Sequence, residues 1–330
     1  MSVESRNNHC DLSIVVPVFK VERYIRDCLD SLLHQRFNGS LQILLIDDAS
    51  PDASGEICTE YANRYKQFQY IRHDRNLGSS QARNTGLEKI RGRYFTFVDP
   101  DDILPADALQ NLFDMAEKEQ ADITKGNNAI LRRGTQVPAN YNVRYLRVFN
   151  TGKALEAFFL HDIVRGHPWG KIFRTECFAE LRFTPGFTNA QDLLFCAEAF
   201  SRAHRFVAFP KTVYVYRLHG EGSTGRKYET GAYLAWLDAV QAVGEFCTNA
   251  AQYRSYQTLQ VRTLAQIAGE ALELQGDILK RVLHEIECRM ELWEIETGRL
   301  LTSRQSLRSW LRYRRFKKRL RRLYALASAV

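Results

Sequence analysis

Short unbroken apolar runs alternate with stretches of helical spacing along the first third of the chain. The first run is Leu12-Ser13-Ile14-Val15-Val16, and Pro17 is expected to end it. In the stretch that follows, Ile25, Cys28, Leu29, Leu32 and Leu33 recur at the three-and-four spacing of one helix face. A second apolar run covers residues 41–46. A helix to about residue 65 and a short strand over 69–71 come next. The turn at Asn76-Leu77-Gly78 opens a helix to residue 90, and Arg91-Gly92 breaks it before the run Tyr94-Phe95-Thr96-Phe97-Val98. Runs without polar alternation fit strands covered on both faces, as in parallel sheets. Their alternation with helices predicts a doubly wound, mostly parallel α/β sheet with right-handed crossovers.

Beyond Pro105 a helix is expected to about residue 120, and residues 123–131 form a candidate strand in an otherwise less regular stretch to residue 160. Residues 167–173 read as a loop entering an ordered segment. Val213-Tyr214-Val215-Tyr216-Arg217 alternates like a strand, and Gly220, Gly222 and Gly225 follow as a flexible loop. From residue 228 onward Pro is absent, Gly is sparse, and Leu, Ala, Gln, Glu and Arg dominate. The expected division is therefore 1–227 and 228–330, the second part a helical appendage, in keeping with about two domains for 330 residues.

Composition narrows the class. The 7 cysteines are scattered and form no C-x-x-C pair, which argues against a zinc site or a disulfide framework and for a reducing compartment. The opening residues are polar and lack a signal-peptide core, and no apolar run has the roughly 18 residues that span a bilayer. The expectation is a soluble or peripheral protein. Its net charge of +8 is concentrated near the C-terminus.

The chemistry centres on Val98-Asp99-Pro100-Asp101-Asp102, three carboxylates just past an apolar strand. Ligands of open α/β sheets bind outside the carboxyl ends of the strands. Hard cations such as Mg²⁺ or Mn²⁺ combine one or two carboxylates with substrate phosphates. A metal and a nucleotide phosphate suit this position. The competing reading is a solvated acidic turn ahead of a helix.

Several ordered motifs resemble the family 2 glycosyltransferases, which have the GT-A fold, over roughly residues 11–225. They are Ile14-Val15-Val16-Pro17-Val18-Phe19, Ile46-Asp47-Asp48-Ala49-Ser50-Pro51-Asp52, Asn76-x-Gly78-x-x-x-Ala82-Arg83-Asn84-x-Gly86, and the acidic cluster in the place of the D-x-D motif. A further match is Tyr214-Val215-Tyr216-Arg217-Leu218-His219-Gly220. The resemblance implies a catalytic domain over 1–227 that binds a UDP-sugar. Pro17 and Phe19 would lie in the nucleotide loop, Phe19 stacking on the base, with Asp48 accepting from a uracil N–H. Arg83 would neutralise phosphate or pair with an acidic-cluster carboxylate. Asp101 would ligate Mn²⁺ or Mg²⁺, Asp99 would face the ribose or the metal, and Asp102 would bind directly or through water. His219 would be a metal ligand or a donor to the leaving diphosphate. Lys171 would face the diphosphate and Trp169 would form an acceptor platform. In Asn189-Ala190-Gln191-Asp192-Leu193 the resemblance aligns Asp192 with the catalytic base, Gln191 standing where Glu is common; the competing reading of Asp192 is a helix cap.

The implied activity is metal-dependent, inverting transfer of a sugar from a UDP-sugar to a glycan or lipid-linked glycan, in bacterial surface-polysaccharide synthesis. Two rivals are a nucleotidyltransferase, whose Gly-rich phosphate loop is missing at Pro17-Val18-Phe19-Lys20, and a basic binding protein with a vestigial nucleotide pocket. Residues 308–322 hold nine Lys or Arg and no acid, interleaved with Trp310, Tyr313 and Phe316. Three readings fit: an anionic membrane surface, which would place the protein at the cytoplasmic face of the membrane; packing on the enzyme body or on a second subunit; and, least favoured, nucleic-acid phosphate. Deleting residues 306–330 is expected to abolish co-sedimentation with anionic liposomes at low salt; undiminished binding would remove the membrane reading.

Overall fold

The computed structural model describes residues 10–139, 142–160, 163–164, 166–185, 190–219, 230–270 and 284. The apolar runs of the first third become four parallel strands in the order β3-β2-β1-β4. They are β1 (Cys10–Val18), β2 (Leu41–Asp47), β3 (Phe68–Arg72) and β4 (Gly92–Phe97). The connecting helices are α1 (Ile25–Leu33), α2 (Ser54–Arg64) and α3 (Ser79–Leu87). Side chains alternate across the sheet. Val15, Leu44, Ile46, Phe95 and Phe97 enter one core, and Ile14, Val16, Ile43, Leu45 and Tyr94 enter the other. Both faces of β1, β2 and β4 are buried, which is why these three strands read as nearly continuous apolar runs.

The second half extends this sheet. It contains α4 (Ala108–Glu119), β5 (Ile123–Arg132), β6 (Thr135–Pro138), β7 (Arg147–Asn150), α5 (Lys153–Leu160), β8 (Lys171–Arg174), α6 (Thr175–Phe178), α7 (Gln191–Arg202) and β9 (Arg205–Arg217). The order continues β4-β8-β5-β9-β7, with β6 pairing β5. The short β8 runs antiparallel to both β4 and β5, while β5 and β9 are parallel. Helix α8 (Thr230–Ala242), a 3-10 turn (Val243–Phe246) and α9 (Ala250–Glu270) follow. Leu237, Val240, Tyr256 and Leu259 from this helical region share a core with Phe158, Phe159 and Phe200.

Some elements differ from expectation. Pro17 does not end β1; it pairs in register with Ile46. The carbonyl of Val15 faces β4, where it accepts from the Val98 N–H at 3.0 Å, and Val18 faces β2, where its carbonyl accepts from the Asp48 N–H at 2.9 Å. By alternation the missing Pro17 donor would point past the end of β4, where no ladder bond is due. Strand β9 begins eight residues before the expected Val213, because it crosses Pro210 at a register shift opposite residues 125–128 of β5. Strands β6 and β7 and helix α5 are too short to register as periodic patterns. The glycine loop at 220–225 and the basic tail at 306–330 lie outside the described residues. Among the described residues, no helix is long and apolar enough to cross a membrane.

Helix α3 lies directly on β1. Ala82 and Gly86 face the strand, and a Cβ on Gly86 would collide with the side chain of Val15. Overpacking of a filled core costs about 1–3 kcal/mol. Gly86→Ala is therefore expected to lower stability by that amount in urea unfolding, with an unchanged m-value if the denatured state is unaffected.

Candidate active site

The loops after β1, β2 and β4 leave the same edge of the sheet. Lys20 and Ala49 adopt positive φ of 54° and 57°, turning the first two loops sharply. Phe19 is 38% exposed at this edge, with Lys20 Nζ 5.2 Å from its ring centroid. Asp47 points into the protein and accepts from Tyr70 Oη, Arg72 and the Ser50 N–H. Asp48 turns to the β3–α3 loop, accepting from Leu77 N at 2.8 Å and Gly78 N at 2.7 Å and pairing with His73 Nδ1 at 2.7 Å. It thus ties that loop to the end of β2.

The three acidic-cluster carboxylates point in three directions. Asp99 accepts from Arg83 at 3.0 Å. Asp101 Oδ2 lies 2.9 Å from His219 Nε2, and the His219 ring rests on Tyr24 with centroids 4.4 Å apart. Asp102 faces inward, fully buried, and accepts from Tyr214 Oη and the Arg217 N–H, both at 2.7 Å. Asp102 is buried against β9 rather than open to the edge, so in place of the expected direct or water-mediated metal contact it anchors the loop. The C-terminal half of β9 is what brings Tyr214, Arg217 and His219 to the cluster.

Arg83 is 6% exposed and joins two parts of the chain distant in sequence. Its second guanidinium nitrogen lies 3.3 Å from Asp192 Oδ1. The guanidinium also sits 5.3 Å from the Phe183 ring centroid. The preceding segment is held by Asn84, whose side chain donates to the Phe183 carbonyl at 2.9 Å and accepts from its N–H at 2.7 Å. Of the two roles open to Arg83, the carboxylate pairing is the one present. Asp192 occupies the first turn of α7, but the residue flanking that helix is Ala190 and no side chain caps it. Gln191 donates to Ser79 Oγ at 2.8 Å, fastening α7 to the start of α3.

Two further expectations are corrected. Lys171 does not face an open diphosphate site; its ammonium is buried and donates to the main-chain carbonyls of His167 and Trp169. Trp169 offers no free platform, since its ring is stacked between His167 at 4.5 Å and Tyr214 at 4.4 Å. The roles of Tyr214, Asn84 and His73 were missed. Asn84 and Tyr214 lay within quoted motifs, whereas His73 gains its partners Asp48 and Thr85 only through the fold.

Burial pushes the Asp99 carboxyl up to about 6, Arg83 opposing the shift and the charges of Asp101 and Asp192 adding to it. Burial also raises Asp192, against the pull of Arg83 and Lys171, and raises Asp102 well above the usual range, where Asp99 and Asp101 add to it. Burial lowers the Lys171 ammonium. The edge thus concentrates carboxylates that resist ionisation and would be relieved by a cation.

Residues 13–180 match the family model for glycosyl transferase family 2. The chain belongs to this family. Glycosyltransferase GlyA of Streptococcus pneumoniae is 30% identical over 236 residues, 69% of this chain and 33% of that protein. The uncharacterized glycosyltransferase EpsJ of Bacillus subtilis is 34% identical over 224 residues, 66% of this chain and 64% of its own. The family 2 chain thus spans between a third and two thirds of the length of these relatives. Among solved structures, S. aureus TarS 1-349 in complex with UDP-GlcNAc aligns with a TM-score of 0.67 at 19% identity, covering 84% of this chain and 80% of that one. The likeness establishes the fold, which is the expected GT-A architecture.

The shifted carboxyl predicts a pH dependence. Asp99 titrates near 4 when unfolded and about 6 when folded, so the native state holds the extra proton between those values. Its contribution to stability falls as pH rises from about 4 to about 6 and is constant above. In metal-free buffer, Asp99→Asn is expected to flatten the urea-midpoint profile over that window; an unchanged slope would refute the shift.

Proposed function

We propose that residues 1–227 form a metal-dependent, inverting glycosyltransferase domain that moves a sugar from a UDP-sugar to a glycan or lipid-linked glycan in surface-polysaccharide assembly. The observation that carries this reading is the bridge Asp99–Arg83–Asp192, which brings a carboxylate of α7 to the acidic loop at the strand ends. Its position in the helix does not explain Asp192, since it caps nothing. A UDP donor is supported by the TarS complexes with UDP and UDP-GlcNAc. Polysaccharide assembly is supported by relatives such as the minor teichoic acid biosynthesis protein GgaB of Bacillus subtilis, 26% identical over 216 residues.

Each side chain then has a task. Phe19, flat and half exposed beside Pro17, stacks on the base. Asp48 uses three of its roughly four lone-pair directions on Leu77, Gly78 and His73, and the remaining one accepts the uracil N–H. Arg83 orients Asp192. Burial makes Asp192 a stronger base than a solvated aspartate, while Arg83 and Lys171 keep its ionised form accessible. Asp192 takes the proton of the acceptor hydroxyl as that oxygen attacks the anomeric carbon from the face opposite the diphosphate, so configuration inverts.

The residues fit a divalent ion completed by substrate. Asp101 Oδ2 and His219 Nε2 already face each other, and the buried His219 Nδ1 has no hydrogen-bond partner among the described residues. No three His, Cys, Asp or Glu side chains among the described residues converge into a full cage. One carboxylate, one imidazole and phosphate oxygens make a Mn²⁺ or Mg²⁺ set. A mannosyltransferase from Pyrobaculum calidifontis with GDP-Man and Mn²⁺ shares the fold at a TM-score of 0.56. Bound there, the ion would neutralise charge on the departing diphosphate.

Asp192→Asn is expected to lower acceptor-dependent UDP release by about 10²–10⁴-fold while leaving UDP affinity within a factor of a few. Equal release by wild type and variant, each with donor and acceptor present, would exclude Asp192 as the base.

A further inference from the structure

A recess lies at the β7 edge of the sheet. It is a cavity of about 360 Å³ between β7, α5 and the chain leading into β7, within the range of small-ligand sites. Its buried and half-buried walls are apolar, formed by Val143, Phe149, Leu160 and Ile163. At its mouth stand Arg144, Tyr145 and Arg147. The Arg147 guanidinium lies 5.6 Å from the Tyr145 ring centroid and 5.4 Å from that of Phe149. Neither arginine has a carboxylate partner among the described residues, in contrast to Arg205 near the same edge, which reaches Glu119 at 2.7 Å.

The chemistry of the lining selects its occupant. Among the described lining residues, the only neutral polar side chain besides Tyr145 is Asn142, and its amide is already used on both sides, donating to the Asn128 carbonyl at 2.7 Å and accepting from the Asn128 N–H at 2.9 Å. A bare sugar, which must satisfy many hydroxyls, finds few partners here. Two guanidinium groups over an apolar floor instead match a phosphate ester joined to an apolar chain. The adjoining surface is apolar too: Tyr145, Leu146 and Val148 are 63%, 41% and 40% exposed, an unusual concentration for a surface without a partner.

We propose that this cavity binds the phosphate ester and the first part of the apolar chain of a lipid-linked acceptor. The term acceptor rests on the glycosyl-transfer reading above; the affinity for an alkyl phosphate does not. A short stretch of chain links the cavity to the candidate base. Ile163 forms part of its wall, and Gly166, three residues on, packs so closely on Leu193 that an added Cβ would lie 3.2 Å from Leu193 Cδ1. Leu193 follows Asp192 directly. An acceptor held by its phosphate at the β7 edge would extend its glycan towards Asp192.

The test uses the full chain and farnesyl phosphate, with farnesol and inorganic phosphate as separate probes, by titration calorimetry below the micelle threshold. Wild type is expected to bind farnesyl phosphate, and Arg144→Gln/Arg147→Gln to bind it about tenfold or more weakly, with UDP affinity unchanged in the variant. Equal farnesyl phosphate binding by variant and wild type would overturn the proposal. So would equal affinity of wild type for farnesol, which would mean an apolar pocket only, or for inorganic phosphate, which would mean an anion site only. A variant that lost binding to anionic vesicles but kept farnesyl phosphate would make this face a membrane contact and refute the cavity. Any such failure with UDP binding intact counts against the cavity alone, whereas loss of UDP binding by wild type counts against the donor reading.

Discussion

The guanidinium of Arg83, almost completely buried, reaches Asp99 with one nitrogen and Asp192 with another. A buried cation is tolerable only when it is paired and hydrogen-bonded, and removing a partner leaves a charge that water cannot reach. The constraint therefore acts on three pieces of chain at once. Helix α3 must present Arg83, the loop after β4 must turn Asp99 towards it, and α7 must begin where Asp192 can meet it. Asn84 reinforces the arrangement by clamping the backbone of Phe183, whose ring lies beneath the guanidinium and stacks on Phe195 of α7 at 4.1 Å.

Around that ion pair the carboxylates divide their work by direction. Asp102 is spent inward on Tyr214 and Arg217, which ties the acidic loop to β9. Asp101 is left at the edge with His219. Asp99 is shared between the two, its backbone N–H donating to Tyr214 Oη at 3.0 Å and its carboxylate accepting from Arg83. Burial and mutual repulsion raise the Asp99 and Asp102 carboxyls. Such a cluster is under electrostatic tension in the absence of a cation, and the tension is set by the fold: Asp99 and Asp102 in a solvated turn would titrate normally.

The β7 edge follows a different logic. Strand β7 and helix α5 leave a hollow with Val143, Phe149, Leu160 and Ile163 in its walls and two arginines that have no carboxylate partner among the described residues. Arg174, by contrast, sits over Tyr94 and lies 3.8 Å from Asp122, so its charge is balanced within the protein. One edge gathers Asp99 and Asp192 around Arg83, and the other offers two arginines with no carboxylate partner among the described residues. The two face ligand groups of different character, and the core shared by α5, α7, α8 and α9 holds them in one framework.

Much of this was legible from residue order alone. Apolar runs specified β1, β2 and β4, because a strand buried on both faces has no polar alternation to hide, and the spacing of Ile25, Cys28 and Leu29 specified α1. The ordered motifs carried the family and marked Asp48, Arg83, Asp99, Asp101, Asp192 and His219 as the residues to watch. What a linear pattern could not express was direction and partnership. Whether Asp102 faces an ion or Tyr214, whether Lys171 faces a diphosphate or the carbonyls of His167 and Trp169, and whether Trp169 is open or stacked depend on segments 45 to 115 residues away in some cases and on the path of a local loop in others. Strands β6 and β7 were too short to carry a period, and β9 crossed a proline that reads as a stop. Composition and spacing determine which surfaces must be buried; only the packed chain decides which polar groups meet when they are.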